Sequence, residues 1–123
     1  MDTDMHALLV LAQTYFDAAY EMDADKFSSL FHPSSSVTKI GEDGNVSATP
    51  VQAWLAAVRN MQAPKQLGSE RHDEILSIEM AGELALLRVR LRIAPRQITD
   101  MLSCLKVNET WKIAQKVMTA ETL

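Results

Sequence analysis

The chain has 123 residues, of which 47% are hydrophobic and 23% are charged, and its formal net charge is −4. A chain of this length and composition can bury a hydrophobic core without disulfides or metals, so we expect a single domain over residues 1–123. Its lysines and arginines never occur next to one another, which argues against a nucleic-acid-binding protein.

The cysteine content and the N-terminal residues indicate where the protein resides. Cys104 is the single cysteine, so an internal disulfide is impossible and a reducing compartment is expected. The segment Met1-Asp2-Thr3-Asp4 is acidic and lacks the basic-then-apolar pattern of a signal peptide. No apolar run approaches the roughly 20 residues that a membrane span needs. We therefore expect a cytoplasmic protein.

Helical spacing and breaker residues predict three helices in the first half of the chain. Leu8, Leu11 and Tyr15 belong to an apolar stripe with helical spacing in the first helix. Pro33 ends the second helix, and Thr49-Pro50 begins the third. The predicted helices are 4–21, 23–31 and 50–61, with a short strand pair, 37–40 and 46–48, between the second and the third.

The second half of the chain is predicted to form four longer strands. These are residues 70–80, 83–94, 98–107 and 111–119. In the second of them, Leu87, Val89 and Leu91 alternate with arginines, which is typical of a strand with one covered face and one wet or paired face. Helices first and a mainly antiparallel sheet afterwards predict an α+β fold.

Three local strings resemble a known superfamily. Phe31-His32-Pro33, the stretch 99–103, and Trp111-Lys112-Ile113 with Lys116 are similar to the nuclear-transport-factor-2-like (NTF2-like) proteins, also called SnoaL-like or cystatin-like. The strings most resemble the group named putative lumazine-binding. The resemblance implies a cone-shaped α+β domain, in which a curved sheet wraps around the N-terminal helices and leaves a pocket. Its members include isomerases, dehydratases, cyclases and non-catalytic modules, commonly as homodimers through the sheet.

Comparison with the ketosteroid isomerase branch of that superfamily assigns three positions. The resemblance places Tyr15 on the oxyanion-binding tyrosine, Lys39 on the general-base aspartate and Ser103 on the second oxyanion donor. Proton transfer between carbons needs a carboxylate base, and a lysine is ordinarily cationic at neutral pH. Steroid isomerisation is therefore not expected here.

The pairing of the last two strands determines which side chains face the pocket. A three-residue turn, 108–110, would pair Val107 with Trp111. Met101, Ser103 and Gln115 would then share an apolar face, which we assign to the pocket. The convex face, where a second copy would pack, would carry Asp100, Leu102, Cys104, Ala114 and Lys116.

The ligand-binding candidates are side chains expected near the pocket, and each has an alternative structural role. Tyr15 offers a hydroxyl or packs in the core, while His32 caps helix carbonyls or transfers a proton. Lys39 binds an anion or is solvated, and Asp100 and Lys116 approach each other as a structural pair. The full set is Tyr15, Phe27, His32, Lys39, Trp54, Met101, Ser103 and Gln115.

The most specific functional prediction is that a small organic molecule binds in an apolar pocket. One alternative is an isomerase-, dehydratase- or cyclase-type enzyme with His32 or an aspartate as its base. The other is a non-catalytic dimeric scaffold whose pocket is filled by Phe27, Trp54 and Met101. Three separated histidines and a lone cysteine give no metal-ligand spacing, so neither a metal nor a cofactor is expected. A homodimer through the convex sheet face, with its arginines, is expected.

Overall fold

The structure, a computed structural model, describes residues 2–123 and contains three helices and six strands. Met1, which the predicted domain includes, lies outside the described residues. The elements are α1 (Asp2–Glu21), α2 (Ala24–Ser28), β1 (Ser36–Ile40), β2 (Val46–Pro50), α3 (Val51–Val58), β3 (Glu74–Ala81), β4 (Leu84–Ile93), β5 (Arg96–Val107) and β6 (Thr110–Thr122).

The sheet confirms the predicted α+β architecture. Its strand order is β2-β1-β6-β5-β4-β3, and every neighbouring pair is antiparallel except β1 and β6. The apolar stripe of α1 packs on one face of this sheet. Leu8 and Tyr15 of α1 and Leu87 of β4 are among the fully buried side chains of the resulting core. None of the described helices is long and apolar enough to cross a membrane.

Helix α2 is shorter than predicted. Asp23 is its N-cap, and the Asp23 carboxylate accepts a hydrogen bond of 3.0 Å from the Lys26 backbone N–H. The helix ends at Ser28, because Phe31 forms an isolated parallel bridge with Ile113 of β6. The chain thus pairs with β6, an interior strand of the sheet, before Pro33 could terminate a helix.

The turn between β5 and β6 differs from the prediction. It contains two residues, Asn108 and Glu109, with φ angles of 48° and 66°, and Val107 pairs with Thr110. Two positive φ values in a two-residue hairpin turn match the right-handed twist of the strands. Asparagine tolerates this backbone region well, but glutamate rarely adopts it, which is why the sequence suggested a longer turn.

A β-bulge follows this turn and changes the face on which side chains lie. Cys104 pairs with Ile113 and Ser103 pairs with Gln115, so Ala114 is an extra residue on β6. Beyond the bulge the pairing is the one that was predicted. Between the turn and the bulge, Trp111 and Ile113 lie on the same face of the sheet as Cys104, and not on the face of Ser103.

The predicted assignment of the two faces is therefore wrong for β5 and the second half of β6. Asp100, Leu102, Cys104 and Lys116 are buried against the helices, with exposed fractions of 0% for Asp100 and 4% for Lys116. Met101 is 40% exposed on the outer face. The predicted pairing placed the apolar residues Trp111 and Ile113 on the face of Met101 and Ser103, and that face was therefore assigned to the pocket. The bulge instead places Trp111 and Ile113 on the opposite face.

Candidate functional site

A cavity of about 360 Å³ lies between the helices and the inner face of the sheet. Its wall is largely apolar, with Trp54 of α3, Phe27 of α2 and Leu91 of β4 among the residues that line it. Six residues add polar atoms to this wall: Tyr15, Lys39, Thr49, Arg96, Asp100 and Lys116. An apolar cleft with a few polar groups is the usual form of a small-molecule site.

Tyr15 and Asp100 form a buried hydrogen bond at the cavity wall. The Tyr15 hydroxyl donates to Oδ2 of Asp100 over 2.6 Å, and both residues are almost completely buried. Burial raises the pKa of Tyr15 well above its usual value, and the nearby Asp100 charge raises it further. Tyr15 therefore remains a protonated donor. Oδ1 of Asp100 has no hydrogen-bond partner among residues 2–123.

Lys116 extends from β6 into the same region of the cavity. Its Nζ lies 4.3 Å from the ring centroid of Trp54 and 5.3 Å from that of Tyr15, which are cation–π distances. Burial lowers the pKa of Lys116, while the Asp100 carboxylate opposes this shift and the positive charge of Lys39 adds to it. The hydrogen bonds formed by the described residues include none from this amine.

Aromatic rings pack against one another beside the Tyr15 hydroxyl and the Lys116 amine. Phe27 meets Tyr15 at 5.3 Å between ring centroids and Trp54 at 4.9 Å, both in edge-to-face geometry. Phe31 packs against the far side of Trp54 at 5.6 Å. This packing fixes the orientation of the Trp54 ring, against which the Lys116 amine lies.

Comparison with protein families identifies the chain. A family described as "Putative lumazine-binding" matches residues 3–119. The chain belongs to this family. The match confirms the resemblance that the sequence suggested, and it covers nearly the whole chain. No curated protein sequence matches the chain significantly.

Solved structures place this lumazine-binding-family chain in the NTF2-like fold. An NTF2-like protein of unknown function from Shewanella baltica OS155 has a TM-score of 0.89 at 20% identity, covering 98% of this chain and 96% of that one. Another from Silicibacter pomeroyi DSS-3 has a TM-score of 0.86 at 22% identity, covering 98% of both chains. A ketosteroid isomerase-like protein from Erwinia carotovora atroseptica SCRI1043 has a TM-score of 0.77 at 10% identity, covering 100% of both. These likenesses establish the fold alone.

Four of the eight predicted binding residues line the cavity of this family member: Tyr15, Phe27, Lys39 and Trp54. Lys39 is exposed, whereas Phe27 is buried and Trp54 is half-buried. His32 lies outside the cavity, where its Nδ1 accepts a 3.1 Å hydrogen bond from the Ser34 backbone N–H. Its ring therefore caps a local turn and does not face the candidate site.

The remaining three predicted residues lie on the outer face of the sheet, which corrects their assignment to the pocket. Met101, Ser103 and Gln115 are all exposed there. Gln115 accepts a hydrogen bond of 2.8 Å from the Ser36 hydroxyl, at the junction of β1 and β6. The carboxyl group beside Tyr15 is that of Asp100, whereas the resemblance to ketosteroid isomerase had placed a donor at Ser103.

Sequence reasoning missed Asp100 and Lys116 as members of the candidate site, because it treated them as a structural pair on the convex face. A usable signal was present. Side chains two positions apart on a strand share a face. On its face Asp100 has Ile98 and Leu102 as neighbours, and Lys116 has Ala114 and Met118. Apolar neighbours on both sides are typical of a side chain on the buried face.

The described residues do not support metal or thiol chemistry at this site. Within residues 2–123, no group of three or more histidine, cysteine, aspartate or glutamate side chains is arranged to hold a metal ion. Cys104 lies on the inner face, which corrects its predicted position, and burial raises the pKa of its thiol to about 12. A thiol with this pKa remains protonated and unreactive near neutral pH.

Proposed function

We propose that this protein binds a small organic molecule in the cavity between the helices and the sheet. The observation that carries the proposal is a pair of buried ionisable residues at the cavity wall: Asp100, whose Oδ1 has no hydrogen-bond partner within the described chain, and Lys116, whose amine lies against the Trp54 ring. Buried polar groups normally have partners, and leaving one unpaired costs about 1–3 kcal/mol. A ligand or ordered water in the cavity would supply these partners.

The chemistry of the wall restricts the class of ligand. The rings of Phe27 and Trp54 favour a flat apolar body. The Lys116 amine is satisfied by a hydrogen-bond acceptor, and the unpartnered Oδ1 of Asp100 by a donor, so the ligand would carry both groups near one end. Lumazine, a pteridinedione, has such groups and is a rational probe, given the name of the family.

An enzyme that transfers a proton within such a ligand is the second candidate. Asp100 favours it, because one of its oxygens is free and the other accepts from a tyrosine in a water-poor site. Asp100 then replaces His32 as the candidate base for isomerase-, dehydratase- or cyclase-type chemistry. The scaffold alternative is less well supported, since Met101 lies on the outer face and the cavity is open beside Phe27 and Trp54.

Native mass spectrometry of the purified protein tests ligand binding. We expect a stoichiometric small molecule to be released on denaturation, or else a lumazine-containing panel of heterocycles to raise the melting temperature. Trp54→Ala should abolish the effect because it removes the ring wall, whereas Gln115→Ala on the outer face should retain it. Binding that persists unchanged in Trp54→Ala, or a chain that binds nothing in either assay, would refute the proposal.

We also propose that the outer face of the sheet forms a homodimer, as predicted from the sequence, with the predicted arginines of β4 but with other residues of β5 and β6. Met101, Leu105 and Val117 are exposed there by 40%, 41% and 51%. Nε of Arg90 and Nε of Arg92 are buried without partners within residues 2–123, and a second copy would supply acceptors. Val117→Glu should convert a dimer into a monomer in size-exclusion light scattering. A wild-type protein that is already monomeric would refute this interface.

A further inference from the structure

Lys116 differs from the other lysines whose amines the structure places beside protein groups. The amine of Lys26 contacts the Glu21 carboxylate at 2.7 Å, and that of Lys106 contacts the Asp4 carboxylate at 3.0 Å. The amine of Lys112 donates to a backbone carbonyl at 2.7 Å. Lys116 instead places its amine against the Trp54 ring, at the wall of an open cavity. Lys116 is thus a buried residue, 4% exposed, at the wall of the cavity in which a molecule would bind.

We propose that Nζ of Lys116 forms an imine with the carbonyl carbon of an apolar aldehyde or ketone bound in the cavity. This inference rests on the proposed function and names its ligand class. A lysine amine desolvated in an apolar pocket is a recognised way to obtain an amine nucleophile. Asp100, whose Oδ1 has no hydrogen-bond partner among residues 2–123 and whose charge acts on the Lys116 amine, provides the second group that such a reaction requires.

The reaction balances with the groups present. The ammonium of Lys116 first gives one proton to Asp100, and the neutral amine attacks the carbonyl carbon. The new C–N bond forms as the C=O π bond opens, and a proton passes from nitrogen to oxygen, which gives a carbinolamine. Asp100 then returns its proton to the hydroxyl, which leaves as water while the C=N bond forms. The products are an iminium ion and water, with no oxidant or reductant consumed.

The surroundings of Lys116 support both steps. Burial lowers the pKa of the amine, which increases the share of the neutral nucleophile at a given pH, and Lys39 of β1 acts in the same direction. Asp100 of β5 opposes that shift but stabilises the iminium product by its charge. Arg96 of β5 and Tyr15 of α1 also line this cavity, with Tyr15 protonated, and Trp54 of α3 is uncharged.

Reductive trapping tests the inference directly. The protein is incubated with 2-naphthaldehyde and sodium cyanoborohydride, which reduces an imine to a stable secondary amine, and is then analysed by intact mass and peptide mapping. We expect a single adduct on Lys116, formed at least tenfold faster than on any other lysine. Lys116→Met and Lys116→Arg should both abolish it, the second while retaining the positive charge. Lys65→Met, which removes an exposed lysine that does not line the cavity, should retain it.

Two probes without an aldehyde separate failure of this inference from failure of the proposed function. These are 2-methylnaphthalene and 2-naphthoate, and their binding is measured by thermal shift. Binding of either probe without a selective Lys116 adduct would overturn the imine and leave cavity binding intact. Stronger binding of the naphthoate would then identify Lys116 as an anion anchor. If neither these probes nor the aldehyde binds, and no adduct forms, both proposals fail for this ligand size.

Discussion

The two faces of strands β5 and β6 carry polar side chains in opposite surroundings. On the inner face, Asp100 and Lys116 are ionisable residues with almost no exposure, and Oδ1 of Asp100 has no hydrogen-bond partner among residues 2–123. On the outer face, Ser103 and Gln115 are exposed and need no special partner. Burying a charge is costly unless it is paired, whereas an exposed amide or hydroxyl costs little. The polar groups of the inner face therefore lower the stability of the fold unless they are paired, whereas those of the outer face do not.

The largest difference between the faces should appear in the core leucines. Leu102 is 0% exposed on the inner face of β5, and Leu105 is 41% exposed on the outer face of the same strand. Leu102→Ala should lower the free energy of unfolding by about 2–5 kcal/mol, because it leaves a cavity in the packed core. Leu105→Ala, its matched control, should cost less than about 1 kcal/mol when both substitutions are made in the Val117→Glu background, in which no second copy covers Leu105. Equal losses in urea denaturation would contradict the assignment of the faces.

The sequence was sufficient to predict the fold, but it did not determine which face of β5 is buried. Helical spacing in α1 and alternation in β4 fix which sides of those elements are apolar, and these signals are local. The face of β5 depends instead on Ala114, a single extra residue on its neighbour. A bulge has no strong signature in one sequence, since it arises from pairing between strands. Met101, Ser103 and Gln115 were placed on the wrong face for this reason, and so were Asp100 and Lys116.

A second substitution tests the polar part of the comparison. Tyr15→Phe removes the hydroxyl that donates to Asp100, so it leaves a buried carboxylate oxygen unpaired. We expect a loss of about 1–3 kcal/mol in the free energy of unfolding. Tyr20→Phe is the matched control on the same helix, because its hydroxyl donates to the Ser69 carbonyl in a half-buried setting. The control should lose about 0.5–1.5 kcal/mol, and a reversal of the order would contradict the proposed importance of the Asp100 contact.

The pH dependence of stability should report the desolvation of Lys116. Its pKa is lower in the folded than in the unfolded state, so between these two values the unfolded state binds more protons. Stability attributable to Lys116 therefore rises with pH through that window, which ends near the ordinary lysine pKa of about 10.4. The raised pKa of Tyr15 acts only above about pH 10, where it lowers stability as the unfolded tyrosine ionises.

Comparison with Lys116→Met isolates this contribution. The stability of the wild type relative to the variant, measured by urea denaturation between about pH 7 and pH 10, should increase with pH. Lys106→Met is the control, because the Asp4 carboxylate raises the pKa of Lys106 and its relative contribution should not increase over the same window. A flat difference for Lys116→Met would mean that water reaches its amine and would weaken the case for a nucleophile.

The smallest expected effect concerns Ser103, and it discriminates most sharply between the predicted and the observed site. Ser103 was expected to contact the ligand, but the bulge at Ala114 places it on the outer face. Ser103→Ala should change the free energy of unfolding by no more than about 0.5 kcal/mol, as for other exposed substitutions, and should leave ligand affinity unchanged. A loss of affinity by calorimetry would mean that β5 presents its other face to the cavity. Asp100 and Lys116 would then face away from the cavity, and the chemistry proposed for them would fail with the register that places them there.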